Sequence, residues 1–445
     1  MSTPDNSTTP PPPGPTAPPD PTAARPGGRE TTPPPTPTLP PDPTAARPDE
    51  CETTPTPAPS GRPDGKYRHA WPLLVVITFL NSIGMSVVFP VLPFVVGRHV
   101  LEADLGWWVG LLEAVYAAGA FMVAPFLGAL SDRVGRRPVI VLGLFGSALG
   151  FGLFGCAQTL WLLIVARVVQ GLTAGDMPAM FGYVADITAP ERRAKRFGFL
   201  GAVTGVAFMV GPAIGGPLAR VNLALPVLTT AAIGLVVGLL CLVALPESLD
   251  PANRAGRLRL SQLHPFKVVA DALARPRLRP LLIGFALITL PFMFFTSNFS
   301  VLALDTIAWG PTQVGLFLSV VGLLDLIIQG GLLGRLVSRW GERGVVLVGA
   351  AVQLAGCLGL AWTAQWAPWP VLLTAAALIL AAGQGATTAA LEALLSRQVG
   401  ADEQGWLAGG VQAVTSAVQM AGPLLAGWLY SGLGHPAPYW LGAVL

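Results

Sequence analysis

From residue 71 onward the chain is a succession of long apolar runs broken by short polar turns. The runs cover 71–96, 106–130, 138–158, 160–185, 197–219, 223–245, 280–304, 311–335, 344–364, 369–393 and 405–431. A helix needs about 20 apolar residues to cross roughly 30 Å of hydrocarbon. The pattern therefore predicts eleven membrane-crossing helices. A further apolar stretch begins near Ala437, and the sequence ends at Leu445. At 1.5 Å per residue that stretch reaches only about 14 Å as a helix, so a twelfth helix is read as truncated. The expected fold class is an all-α membrane protein.

Residues 1–69 lack this pattern. They are rich in Pro, Thr and Ala, and the unit Pro-Pro-Asp-Pro-Thr-Ala-Ala-Arg-Pro occurs at 18–26 and again at 40–48. Such a segment has too little apolar surface to offset the entropy of ordering, so it reads as a disordered tail. It has no short apolar core behind a basic start, which argues against a signal peptide.

Charge changes the picture through its placement. Only 11% of the residues are charged, against about 25% in soluble proteins. The loops after the second, fourth, sixth, eighth and tenth runs carry 3, 4, 7, 3 and 1 Lys or Arg, counting Arg335 at the edge of the eighth run, whereas the intervening loops carry only Arg98 and Arg220. Basic loops stay on the cytoplasmic side. This predicts a multi-pass protein of the inner (plasma) membrane with a cytoplasmic N-terminus. The long loop after the sixth run divides the chain into a tail (1–69), a six-helix half (70–245), a cytoplasmic linker (246–279) and a second half (280–445).

The halves echo one another. Gly128, Leu130, Arg133, Gly135 and Arg137 correspond to Gly334, Leu336, Arg339, Gly341 and Arg343 at a constant offset of 206. Gly211-Pro-Ala-Ile-Gly-Gly216 likewise corresponds to Gly422-Pro-Leu-Leu-Ala-Gly427. Related halves packed face to face place a site near the bilayer midplane at their interface.

Three strings carry more than packing. Gly128, Leu130, Asp132, Arg133, Gly135, Arg136 and Arg137 spell G-x-L-x-D-R-x-G-R-R in the turn between the second and third runs. Arg167, in Arg-Val-Val-Gln-Gly171, is the one basic residue deep in a run, so it must face the protein interior and find polar partners. Asn81 and Gln170 are candidates. Gly201, Gly205, Gly211, Pro212, Gly215 and Gly216 lie in the fifth run. Gly201 and Gly205 permit close helix contact, and Pro212 leaves the Phe208 carbonyl without its usual donor and favours a kink. The alternative readings are a solvated turn, a structural polar anchor and ordinary small-residue packing.

These strings resemble the signatures of the major facilitator superfamily of transporters, and the third resembles its antiporter motif. The resemblance implies a major facilitator fold of two pseudo-symmetric six-helix halves. It also implies that Asp132 caps a helix of the other half near Gly405 and latches the cytoplasmic side closed. Phe79-Leu-Asn81-Ser-Ile-Gly84, Val184-Ala-Asp186-Ile-Thr188 and Leu394-Leu-Ser-Arg397 bring the chain nearest to the tetracycline-efflux and related drug:H⁺ antiporters. Those exporters carry membrane aspartates at positions that fall here on Asn81, Gly150 and Gln353, and a titratable histidine that falls on Asp325.

Four acids lie inside runs: Glu113, Asp176, Asp325 and Glu392. Asp325 is nearest mid-membrane, where a carboxyl suits reversible protonation, with Gln329 one turn away as a structural partner. Asp176 lies nine residues past Arg167, so the two point to opposite helix faces. Glu113 and Glu392 lie nearer the run ends, where snorkelling or local hydrogen bonding is the cheaper reading. The proton-coupling candidates are Asp325, Asp176, Glu113 and Arg167, and the cavity candidates are Asn81, Asn298, Gln329 and Gln353.

Neither the four cysteines nor the four histidines have metal-ligand spacing, and no phosphate-binding loop or nucleophile–base set is present. The expectation is a secondary transporter exporting a small, partly apolar compound against protons. No cofactor, no metal, no enzymatic activity and no nucleic-acid partner is expected; the partners are the substrate, protons and the bilayer. The alternatives are a metabolite or sugar exporter and a non-transporting remnant.

Overall fold

A computed structural model describes residues 70–174, 176–250, 252, 254, 264–366, 369–400 and 403–445. The tail and residues 251, 253 and 255–263 of the linker read above lie outside the described residues. Fifteen α-helices follow one another: α1 Ala70–Val87, α2 Leu92–Val96, α3 Leu105–Val134, α4 Arg136–Gly155, α5 Leu160–Leu172, α6 Asp176–Asp186, α7 Pro190–Val221, α8 Leu225–Ala244, α9 Pro265–Leu273, α10 Arg279–Ile307, α11 Pro311–Ile327, α12 Leu333–Gln365, α13 Pro370–Ser396, α14 Gln404–Leu433 and α15 Ala437–Val444. Among the described residues, nine helical stretches are long and apolar enough to cross a membrane. One of these, Pro311–Gln365, contains two of the predicted crossings.

Proline opens most of these helices. α2, α7, α8, α9, α10, α11, α13 and α15 all have it at the first or second position, where the missing N–H would have had no partner anyway. Each apolar run is helical over most of its length, and the first and fourth are interrupted, between α1 and α2 and between α5 and α6. The helices overrun several runs because their polar ends project beyond the apolar band; α3 continues to Val134.

The internal repeat has a backbone basis. Gly135 ends α3 with φ +115°, and Gly341, its counterpart 206 residues on, breaks α12 with φ +67°. Both are in the region that L-residues rarely adopt, so each half turns on a glycine at the same place. At Gly135 a Cβ would also strike the Glu247 carboxylate, whereas at Gly341 it would meet nothing within 4 Å. Gly135→Ala should therefore cost about 1–3 kcal/mol and lower the unfolding temperature in detergent more than Gly341→Ala does.

The two bundles meet along two seams, α3 against α14 and α7 against α11. The end carrying Asp132–Arg137 is called the basic end below, and the other the far end. Close contacts concentrate toward the far end. Gly106 lies under the Tyr430 ring and beside Gly427, Gly110 faces the Pro423 backbone, and Gly216 faces Pro311, Thr312 and Gly315. At the basic end, a Cβ on Gly128, Gly201, Gly330, Gly331, Gly334 or Gly409 would meet nothing within 4 Å. The short helix α9 packs there. Its Phe266 is edge-on to Phe121 of α3 at 5.2 Å, and its Ala272 lies against Gly410 of α14.

Candidate functional site

The turn at 128–137 is held by three acids. Asp132 and Arg136 pair across one helical turn, and Arg136 also reaches Asp186 at the end of α6 (3.2 Å) and Ser131 Oγ (2.9 Å). The Glu247 carboxylate, beyond α8, accepts from the Arg136 and Arg137 backbone N–H groups at 2.8 and 3.2 Å. It thereby caps the N-terminus of α4, where unpaired donors favour an anion. The second half repeats this with reversed charge: Glu342, the counterpart of Arg136, pairs with Arg397 at the end of α13. Asp132 itself is half-exposed, and its ion pair lies within its own turn. The resemblance pointed it at the start of α14 instead, near Gly405.

The membrane interior holds a compact polar cluster. Arg167 of α5 is 7% exposed. Its Nη1 donates to Gln170 Oε1 at 3.1 Å, and its guanidinium lies over the rings of Phe154 and Tyr116, 5.1 and 5.9 Å from their centroids. Gly171, one turn on, touches Gly119 and the Tyr116 carbonyl, which is how α5 comes close enough to α3 to place Tyr116 over the cation. Glu113 of α3 is the acid nearest this cluster: it lies within electrostatic reach of Arg167 and near Ser297 of α10, without an ion pair to Arg167 within 4 Å. By helical rise, Glu113 and Arg167 are both about 10–12 Å from the far ends of their helices. Glu113 thus shares the depth of Arg167, with that cation on its own half and Ser297 on the other within electrostatic reach.

Gln170, expected as a partner of Arg167, is one. Asn81 lines a different space, a small cavity with Leu80, Gly84, Ser147 and Thr230. Gly150 faces the Gln170 side chain and the Ala166 carbonyl, so any larger residue there would displace Gln170 from Arg167.

Asp325 has the structural partner read from spacing. Gln329 Nε2 donates to Asp325 Oδ1 at 2.7 Å within the same stretch of chain, just where it loosens into a π-turn at Ile328–Leu332. Asp325 also lies against Gly385 of α13, which keeps it within its own half. Gln353 donates to the Ile288 carbonyl (2.8 Å) and Asn298 to the Ala426 carbonyl (2.8 Å). Both amides thus fasten helices together, and neither joins the Arg167 cluster. The Asp176 side chain lies outside the described residues.

The glycine string in α7 is divided among neighbours. Gly211 and Gly215 lie against Ser86 and Val87 of α1, and Gly216 lies against α11. Gly205 reaches only Leu326, at 3.9 Å, and Gly201 reaches nothing, so the close contact read at this pair is not made in this arrangement. α7 runs unbroken through Pro212 and Pro217. The Ala207 carbonyl accepts from Ser86 Oγ (3.2 Å) and the Gly216 carbonyl from Thr312 Oγ1 (3.3 Å), so hydroxyls of α1 and α11 tie α7 to both neighbours.

The sequence profile of the Major Facilitator Superfamily matches residues 74–369 and 305–445. The chain belongs to this superfamily. It is a multi-pass membrane transporter and not an enzyme. It is 31% identical over 380 residues to the class H tetracycline resistance protein of Pasteurella multocida, covering 83% of this chain and 90% of that one. It is 32% identical over 367 residues to the class C protein of Escherichia coli, covering 82% and 91%. Among solved structures it resembles the human organic anion transporter MFSD10, with a TM-score of 0.63 and 20% identity over 85% of this chain and 97% of that one. That likeness carries the fold alone.

Residues that sequence reasoning missed are those that act across distance. Glu247 is 111 positions from Arg136, and Ser297 and Tyr116 carry no motif. The place of Glu113 near Arg167 had one available signal: the two lie at the same depth on antiparallel helices.

Proposed function

We propose that this transporter exports a small, partly apolar drug in exchange for protons by alternating access, and that Glu113 is its coupling carboxylate. Proteins with about 30% identity over most of the chain carry tetracycline resistance in their names, which supports the substrate class. The excess of basic residues supports a cytoplasmic basic end. On that orientation the far end is external, and this arrangement is closed outside and parted inside.

The observation that carries the coupling role is the place of Glu113 between Arg167 and Ser297. As a carboxylate it is held by the Arg167 charge of its own half. Once protonated it no longer needs that cation and becomes a donor toward the other half. Proton gain thus changes which half the side chain favours, which is what coupling requires. Arg167 orients and balances it, with Gln170 and Tyr116 fixing the guanidinium. Asp325, engaged with Gln329, is assigned a structural role in the same scheme.

Asp132 is the latch of the opposite state. Here it is solvated and paired within its own turn, and an exposed pair of this kind contributes only about 0–1 kcal/mol. Asp132→Asn should leave thermal stability nearly unchanged yet reduce export several-fold. Wild-type export by this variant would remove the latch role.

The test of the function is uptake of tetracycline and lipophilic dyes into inverted vesicles driven by a proton gradient. Substrate accumulation that collapses with a protonophore supports the proposal. Accumulation that ignores the gradient, or none for any compound in the panel, overturns it.

A further inference from the structure

A second titratable group of side chains lies at the far-end mouth of the α3–α14 seam. Asp305, near the end of α10, accepts a hydrogen bond from the Tyr430 hydroxyl at 2.7 Å and lies 3.7 Å from His435 Nε2. Gly434 ends α14 with φ +104°, a conformation that favours glycine, and His435 follows it. The imidazole stacks flat on Tyr430, with 4.6 Å between centroids and 8° between planes. The same Tyr430 ring covers Gly106 of α3, and the Trp107 N–H donates to Ser431 Oγ at 3.0 Å. One aromatic ring therefore joins the seam between the halves to an acid–imidazole pair.

The charges around this pair come from both halves. Tyr430 of α14 faces Asp305, Tyr439 of α15 faces Tyr430, and Glu102, in the turn ahead of α3, faces Asp305 from the other half. With His435 neutral, the charge of the exposed Glu102 of one half acts unfavourably on Asp305 of the other, a weak and solvent-screened effect. With His435 charged, the imidazolium offsets that effect and holds Asp305 and Tyr430 in place. Asp305 is 19% exposed and His435 47%, so the proton acceptor faces solvent while its partner is sheltered.

We propose that Asp305, Tyr430 and His435 form a proton-reading latch, in which protonation of His435 from the external side closes the mouth of the seam. Histidine is the side chain whose charge ordinarily changes between pH 5 and 8. In an exporter exchanging drug for protons, closing the outside on proton arrival follows drug release and favours the return to the inward-facing state. This rests on the reading of the far end as external, and it adds a proton-sensing site separate from Glu113.

The test measures conformation and not transport, so it stands apart from the export assay. Spin labels are placed at Val221 and Trp369, exposed far-end positions of the two halves, in the full chain with its native cysteines replaced by serine. Distances are read in nanodiscs at pH 8 and pH 6. Acid should shift the population toward the short, closed distance by about threefold, the scale of one partly solvated ion pair. The response is read in a Glu113→Gln background, which removes the share of the coupling carboxylate: there His435→Gln should flatten what remains, and Glu102→Gln should favour the closed distance already at pH 8. A Glu113→Gln chain without a pH response, or one that keeps its response when His435→Gln is added, overturns the latch.

Discussion

Glu113→Gln should insert and fold normally and lose uphill export. In inverted vesicles its steady-state accumulation of substrate should fall to the level of passive equilibration. Downhill counterflow of labelled against unlabelled substrate should continue. The size of the effect follows from the driving force: each charge crossing 100 mV contributes about 2.3 kcal/mol, which corresponds to a concentration ratio of about fifty. An uncoupled carrier forfeits that ratio entirely. Glutamine keeps the shape and can still meet Ser297, but it carries no charge for Arg167 and binds no proton. Arg167→Ala should be worse in a different way, because it leaves the Glu113 carboxylate without its cation and removes the packing of the guanidinium on Phe154 and Tyr116. Truncating a buried side chain packed on two rings leaves a cavity and costs about 2–5 kcal/mol, so low expression is the expected result there. If Glu113→Gln accumulates substrate as the wild type does, coupling lies elsewhere, and Asp325 and Asp176 return as candidates.

Gly216→Val should drive the transporter away from the arrangement described here. A side chain at Gly216 meets the Pro311 carbonyl and the Cα atoms of Thr312 and Gly315. These are backbone atoms that cannot rotate away. Overpacking of this kind costs about 1–3 kcal/mol, which shifts a two-state equilibrium by about 5- to 150-fold. The Val221–Trp369 distance should lengthen accordingly, and export should fall because the external side no longer seals. Gly201→Val offers the contrast: its site is open here, so the closed-outside arrangement tolerates it. An unchanged distance in Gly216→Val would show that the far-end seam is not the moving contact.

The crossings were legible because a bilayer leaves little freedom. A spanning segment must satisfy its own backbone, so apolar length alone announces a helix. The repeat was legible for a similar reason: Gly135 and Gly341 hold positive φ values that few other residues tolerate, so the offset of 206 survives as a pair of glycines. Asp325 and Gln329, four residues apart, were legible as neighbours on one helix face. The polar cluster was not. Whether Glu113 snorkels or pairs depends on which helix packs against α3, and neither Ser297 nor Tyr116 advertises that in its local sequence. Position along α3 suggested a side chain reaching for the interface, and tertiary packing brings it within electrostatic reach of a buried cation. Glu247 was missed for the same reason: it caps α4 from beyond α8, and nothing near Arg136 in the chain points to it.

Substrate-induced proton release from the purified, detergent-solubilised protein tests the coupling scheme most directly. Adding tetracycline or a transported dye to weakly buffered protein at neutral pH should release protons in proportion to binding. Glu113→Gln should bind without release, and Asp325→Asn should release as the wild type does. Undiminished release from Glu113→Gln, or its disappearance in Asp325→Asn alone, would contradict the assignment of Glu113 as the group through which proton and drug exclude one another.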